Sequence, residues 1–90
     1  MKIEFKLQEL IAKAIDSLYS QSVAPESVSL QKTKKEFDGH LTLVVFPFLK
    51  ISRKSPEQTA QQIGEWLTEN VQEVAGFNVI KGFLNLIIAP

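Results

Sequence analysis

The chain has 90 residues, of which 44% are hydrophobic and 22% are charged, and its formal net charge is zero. A chain of this length buries one compact core but not two, so a single domain over residues 1–90 is predicted. The balanced charge excludes a strongly charged disordered tail, and the absence of cysteine excludes disulfides, thiolate metal sites and cysteine nucleophiles.

The positive charge is concentrated in the middle of the chain. Residues 32–54 carry six basic and two acidic side chains, whereas residues 55–90 carry one basic and four acidic ones. The middle segment is therefore the candidate surface for a polyanion. An equally good interpretation of the same pattern is that these lysines only make two loops soluble.

The first predicted element is an amphipathic helix. Apolar residues recur at three- and four-residue spacing, which predicts a helix over residues 3–19. Pro25 stops helical structure before it, because proline restricts its predecessor and cannot donate to a helical turn. The alternation at Val28 and Leu30 then predicts a strand that runs into the lysine cluster.

A hairpin is predicted next. Asp38-Gly39 lies between two strand-like runs and favours a tight turn, in which both central residues adopt positive φ. The returning strand is predicted over residues 41–46. Pro47 can occupy the first position of a short helix that continues to Ile51.

The second main helix begins at Ser55-Pro56-Glu57-Gln58. Serine can cap the helix, proline fits the first turn, and Gln58 lies where a capping box reaches back. The helix is predicted to run to Asn70. Trp66 flanks its apolar stripe, and packing at the edge of the core is favoured over an exposed ring that stacks on a base.

Two strands complete the chain. Residues 74–79 and 83–89 are strand-like, and Gly82 permits a tight turn between them. The element order is therefore α-β-β-α-β-β. Because each helix is apolar on one side only, the predicted fold class is α+β, a two-layer sandwich in which two helices cover one antiparallel sheet.

Groups for catalysis and metal binding are sparse. The only histidine, His40, can pair with Asp38 as a base and its orienting partner, but no nucleophile motif accompanies them, so a role in the turn is favoured. Carboxylates are not clustered at ligand spacing, and the four glycines are too widely separated for a phosphate loop. We therefore expect no catalytic residue, no metal site and no cofactor in this chain.

The final strand carries a more specific signal. Its two-residue repeat places Leu84, Leu86 and Ile88 on one face, and Phe83 and Asn85 on the other. Strand propensity does not explain this asparagine, whereas a ring beside a carboxamide can stack on an unstacked base and bond its edge. The alternative is a ring packed under a helix or loop and an amide bonded to a turn carbonyl, and the residues alone favour it.

Four segments, in the correct order, resemble the N-terminal additional domain of arginyl-tRNA synthetase. They are Phe37–Thr42, Leu43–Lys50, the helix start Ser55–Ala60, and Lys81-Gly82-Phe83-Leu84-Asn85. The resemblance spans about residues 3–89, and the helix and strand order is the one expected for that domain.

The resemblance implies a function in RNA binding. In arginyl-tRNA synthetases this domain precedes the class I catalytic core and contacts the D-loop at the outer corner of arginine tRNA. The family's aromatic and amide positions hold an unstacked base there, and they correspond to Phe83 and Asn85. Phosphate contacts are expected from Lys81 with some of Lys34, Lys35, Arg53 and Lys54.

The resemblance also implies that the chain is part of a larger enzyme, and it indicates the expected partners. The ATP-binding and adenylate-forming signatures of a class I synthetase are absent, so this chain is expected to be non-catalytic, whereas the parent enzyme would attach arginine to tRNA using ATP. The expected partners are arginine tRNA and the parent's catalytic domain. A cytoplasmic monomer without membrane contact is expected, because no apolar run is long enough for a signal peptide or a membrane span.

Two departures from the family and one alternative function stay open. Lys81 stands where a small residue or proline is common, and the glycine-aspartate order is reversed at Asp38-Gly39, so the preferred base is not predicted. The alternative function is a protein-interaction or oligomerisation module that uses an exposed sheet edge or face.

Overall fold

A computed structural model describes residues 3–35 and 39–89. The elements are α1 (Ile3–Tyr19), β1 (Leu30–Lys32), β2 (Leu41–Val44), α2 (Leu49–Ser52), α3 (Pro56–Asn70), β3 (Val74–Ile80) and β4 (Phe83–Ile88). Short 3-10 turns cover Pro25–Ser27 and Phe46–Phe48. The four strands form one antiparallel sheet in the order β1-β2-β4-β3, which confirms the predicted α+β class.

The two long helices begin and end for local reasons. α1 ends at the predicted residue because Ser20 takes a left-handed conformation (φ 56°) and its N–H bonds the Asp16 carbonyl, so Pro25 starts a separate turn. α3 begins with the predicted capping box: the Ser55 hydroxyl accepts from the Gln58 N–H, and the Gln58 side chain accepts from the Ser55 N–H.

One face of the sheet, here called the inner face, packs against α1 and α3. Its alternating leucines are 0–6% exposed: Leu41, Leu43, Leu84 and Leu86. The helices contribute fully buried side chains: Leu7, Ile11, Ile15, Ala60, Ile63 and Leu67. Gly64 lets α3 approach β3 closely, because a Cβ there would lie 2.6 Å from the Phe77 ring. Trp66 is partly buried against this core, which confirms its predicted packing.

The connection between β1 and β2 differs from the prediction. The Thr33 N–H bonds the His40 carbonyl, with 3.3 Å between nitrogen and oxygen, so the strands are joined by more than two residues. The predicted two-residue turn at Asp38-Gly39 is therefore wrong. Gly39 does adopt a positive φ of 137°, whereas Phe37 and Asp38 lie outside the described residues.

β2 is shorter than predicted, and the short helix after it is confirmed. Val45 already has helical backbone angles (φ −91°, ψ −10°), so the strand ends at Val44. Phe46–Phe48 then forms a 3-10 turn that continues directly into α2. Along residues 3–35 and 39–89, none of the helices combines the length and the hydropathy that crossing a bilayer requires.

Candidate nucleic-acid interface

The sheet face that points away from the helices, here called the outer face, carries a row of polar residues. Gln31 of β1 pairs with Thr42 of β2, Thr42 with Asn85 of β4, and Asn85 with Asn78 of β3. Phe83 lies on the same face, two residues before Asn85 along β4. The ring and the carboxamide therefore share the side that strand alternation predicts.

The Asn85 amide is held by side chains of the neighbouring strands. Its Oδ1 accepts a 2.6 Å bond from the Thr42 hydroxyl, and its Nδ2 donates a 2.9 Å bond to Asn78 Oδ1. The Thr42 hydroxyl in turn lies 2.9 Å from the hydroxyl of Thr33. A buried amide that lost these bonds would cost about 1–3 kcal/mol, so they fix its orientation. They leave one N–H and one Oδ1 lone pair of the amide for another partner.

Gly39, near the end of the connection between β1 and β2, packs against Asn85, which is only 1% exposed. A Cβ at Gly39 would lie 3.2 Å from the Asn85 Cβ, so the backbone passes directly over the asparagine. His40 anchors this loop to β4: its N–H donates to the Leu86 carbonyl, and its Nδ1 accepts from the Ile88 N–H. Through these two bonds the histidine holds the connection between the strands against β4, which is the structural role favoured for it from the sequence.

Phe83 is half-buried and packs against a second ring. The Phe46 and Phe83 centroids are 5.8 Å apart, and the ring planes are at 86°, an edge-to-face pair. Phe46 itself is 45% exposed. Phe46 is not among the residues predicted from the sequence, where the only signal for it is the Phe-Pro-Phe run at residues 46–48.

A tight turn presents Phe83 at the start of β4. Lys81 and Gly82 both have positive φ, 52° and 81°, as the favoured two-residue hairpin turns require. A Cβ at Gly82 would lie 2.7 Å from the Pro56 Cβ, so the turn packs tightly against the start of α3. Glycine therefore fits this position both conformationally and sterically.

A cavity of about 130 Å³ opens on the outer face. It is lined by Gln31, Lys32, Lys34, Thr42, Phe83 and Asn85. Pockets for whole drug-sized ligands measure roughly 300–1,000 Å³, so this one takes a single flat ring at most. Sequence analysis missed Gln31, Lys32 and Thr42 as lining residues, because only the strand register places them beside β4.

The predicted basic residues do not all lie together. Lys34 lines the cavity and Lys35 is exposed beside it in the chain, while Lys81 is exposed in the turn before Phe83. Arg53 is exposed at the end of α2, in a left-handed conformation with φ 57°. Lys54 lines a separate depression on α3 together with glutamine and glutamate side chains.

Charges are balanced in one region of the surface outside the cavity. An open depression of about 530 Å³ along α1 has two lysines and two acidic residues among its lining: Lys6, Lys13, Glu9 and Asp16.

Lys6 also bonds Glu73, and this bond holds the pKa of the Glu73 carboxyl below its usual value. Burial raises the pKa of the Tyr19 hydroxyl, which donates to Gln62 Oε1 at 2.7 Å. In residues 3–35 and 39–89, no cluster of three acidic or histidine side chains is arranged to hold a metal ion.

Comparison with known proteins gives a consistent result. The family model described as "Arginyl tRNA synthetase N terminal domain" matches residues 6–88. Arginine-tRNA ligases of Bacteroides thetaiotaomicron and Bacteroides fragilis are 66% and 64% identical to the chain over 89 residues, which is 99% of the chain. The chain spans 15% of the length of each of these relatives.

A solved structure shares the fold. Arginyl-tRNA synthetase of Thermus thermophilus matches 98% of the chain and 14% of its own chain, with a TM-score of 0.75. The two sequences are 23% identical over this match, so the structural likeness concerns the fold alone.

Proposed function

The chain belongs to the family of arginyl-tRNA synthetase N-terminal domains, and from this membership we propose that it is the tRNA-binding module of an arginine-tRNA ligase. It holds the D-loop at the outer corner of arginine tRNA. Attachment of arginine, with ATP, is proposed for a longer protein that includes a catalytic domain, because the chain spans only 15% of its curated relatives. A non-catalytic single domain over residues 1–90, acting in the cytoplasm, remains part of this proposal.

The observation that carries the proposal is the cavity on the outer face. Its lining includes an aromatic ring, a hydrogen-bonded amide and two lysines: Phe83, Asn85, Lys32 and Lys34. An unstacked base can stack on the ring, and such stacking contributes about 1–3 kcal/mol per base. The edge-to-face contact with Phe46 supports the Phe83 ring at the surface of the sheet.

Asn85 contacts the edge of the base in this proposal. The bonds to Thr42 and Asn78 leave one N–H and one lone pair of its amide available. Asn85 lines the cavity but is 1% exposed, so the proposed contact requires the residues packed over the amide to move apart. In the proposed complex, the Asn85 amide bonds the edge of the base and the Phe83 ring stacks on its face.

The basic residues neutralise phosphates on either side of the base. Lys34 lies at the cavity, with Lys35 and Lys81 exposed next to cavity residues in the chain. Arg53 and Lys54 lie between α2 and α3 and contact the backbone farther along the RNA. Because few charges are engaged, binding by this chain alone is weak and falls as salt rises.

The test is to titrate the chain into arginine tRNA at low salt and to measure binding by fluorescence anisotropy. Phe83→Ala is expected to weaken binding roughly 5- to 150-fold, the equivalent of about 1–3 kcal/mol. The matched control is Phe5→Ala, since Phe5 is a 62% exposed phenylalanine on α1. Affinity unchanged by Phe83→Ala, or reduced equally by both variants, would contradict the proposal.

The alternative of an interaction module at a sheet edge has weaker support. β3 is one edge strand, but its register shifts between Val74 and Gly76, and such a bulge opposes pairing with another chain. The opposite edge, β1, has only three residues. Sedimentation at rising concentration is expected to give a constant monomer mass; a mass that rises with concentration would favour the alternative.

A further inference from the structure

The cavity contains a second amide, whose environment differs from that of Asn85. Gln31 is exposed, lies on β1 and lines the cavity on the side away from β4. Within residues 3–35 and 39–89, its side chain forms no hydrogen bond. Asn85, in contrast, is bonded at both ends and almost fully buried.

The strand register explains why the space between the two amides is open. β2 lies between β1 and β4, and neighbouring strands are about 4.8 Å apart, so β1 and β4 are separated by roughly 10 Å. Thr42 stands on β2 between Gln31 and Asn85, and its side chain is short. The outer face therefore has a slot above Thr42, between Gln31 on β1 and Asn85 on β4, with Phe83 two residues before Asn85.

The slot has the width for one flat ring. A base stacked on Phe83 sits about 3.5 Å from the ring, the usual contact distance between carbon atoms. An edge of that base can then point towards β1, where the exposed Gln31 side chain can reach it. Lys32 and Lys34 follow Gln31 in the chain and line the same cavity, so the RNA backbone is attracted to the same side of the slot.

We propose that Gln31 is a second specificity-determining residue, whose side chain reaches from β1 to the base held on Phe83 and hydrogen-bonds an edge of that base. This inference rests on the proposed function in tRNA binding. An amide presents a donor and an acceptor side by side and can form two bonds with one base edge. Asn85 supplies a fixed contact, and Gln31 supplies the adjustable contact that separates one base from another.

The experiment measures the affinity of the 90-residue chain for four arginine tRNA transcripts that differ only in the unstacked D-loop base. The wild-type chain is expected to prefer one base by about 5- to 100-fold, the range for a pair of amide bonds. Gln31→Ala is expected to reduce this preference to about twofold or less, mainly by weakening binding of the preferred base. Phe83→Ala is expected to weaken binding of all four transcripts together.

The controls separate the two proposals. Gln72→Ala removes an exposed amide in the turn before β3 and is expected to leave all four affinities unchanged. A melting curve of Gln31→Ala that matches the wild type shows that the fold is kept. If Phe83→Ala weakens binding but the base preference is absent from the wild type or survives in Gln31→Ala, the inference on Gln31 is overturned. If Phe83→Ala has no effect on any transcript, the tRNA-binding function itself fails.

Discussion

Alternate residues of β4 belong to two surfaces with different chemistry. On the inner face, Leu84 and Leu86 are fully buried between the sheet and the helices. On the outer face, Asn85 is almost as deeply buried, but its neighbours are hydroxyl and amide groups that hydrogen-bond. Low side-chain exposure therefore has two causes in β4. On the inner face it results from apolar packing, and on the outer face it accompanies hydrogen-bonded neighbours and the contact with Gly39.

The inner face is expected to determine the stability of the fold, whereas the outer face is proposed to bind RNA. Apolar burial on the inner face provides most of the free energy that holds the helices on the sheet. Burying the polar row costs desolvation free energy, and its hydrogen bonds largely offset this cost. The row therefore fixes the orientation of its side chains more than it raises the free energy of unfolding. Substitutions on the two faces should therefore change different measurable quantities.

The largest expected effect is on the inner face. Leu84→Ala removes a side chain that is 0% exposed and is expected to lower the free energy of unfolding by about 2–5 kcal/mol, measured by urea denaturation. Phe83→Ala, one residue earlier on the half-buried outer side, is expected to cost clearly less. A larger loss of stability in Phe83→Ala than in Leu84→Ala would show that the two faces have been assigned incorrectly.

A smaller effect is expected in the polar row. Asn85→Ala removes the acceptor for Thr42 and the donor to Asn78, and we expect a loss of about 1–3 kcal/mol in the free energy of unfolding. The matched control is Asn70→Ala, because Asn70 is exposed and its side chain makes one bond, to the Trp66 carbonyl. Equal losses in the two variants would mean that the row contributes no more than a surface contact.

The smallest expected effect concerns the ion pair between Lys6 and Glu73. The bond to Lys6 lowers the pKa of Glu73 from its ordinary value of 4.5. Because the folded pKa is below the unfolded one, the pair stabilises the fold above pH 4.5, and this contribution is lost as the pH falls through the folded pKa. The pair is solvent-exposed, so the effect is small.

Denaturation of wild type and Glu73→Gln at neutral and acidic pH measures this contribution. The stability advantage of the wild type is expected at neutral pH and should disappear in acid, while the affinity for tRNA stays the same in both proteins. Glu65→Gln serves as the control, since the Glu65 carboxylate has a glutamine partner and no cation. A wild-type advantage that grows as the pH falls would contradict the assigned direction of the pKa shift.

The sequence predicted the parts of this fold that depend on local patterns. Helical spacing gave both bounds of α1, the Ser55 capping box gave the start of α3, and two-residue alternation gave the two faces of β4. These features need only residues that are close in the chain. The family resemblance, carried by short ordered motifs, was likewise confirmed by the match over residues 6–88.

The cavity could not be predicted in the same way. It joins Gln31, Thr42 and Asn85, which are brought into one row only by the pairing of three strands. The two-residue turn at Asp38-Gly39 was predicted wrongly because Thr33 pairs with His40, and local turn preferences do not contain this pairing between strands. Gly39 packs on Asn85, a second contact that residues close in the chain do not predict.

The central claim is that tRNA binds the outer face of the sheet, and a residue-resolved NMR titration of the isotope-labelled chain with arginine tRNA at low salt tests it most directly. We predict shifts at the amides of Gln31, Lys34, Phe83 and Asn85, with the buried stripe of α1 unchanged. Shifts confined to α1 and α3, with those four residues unaffected, would contradict the account.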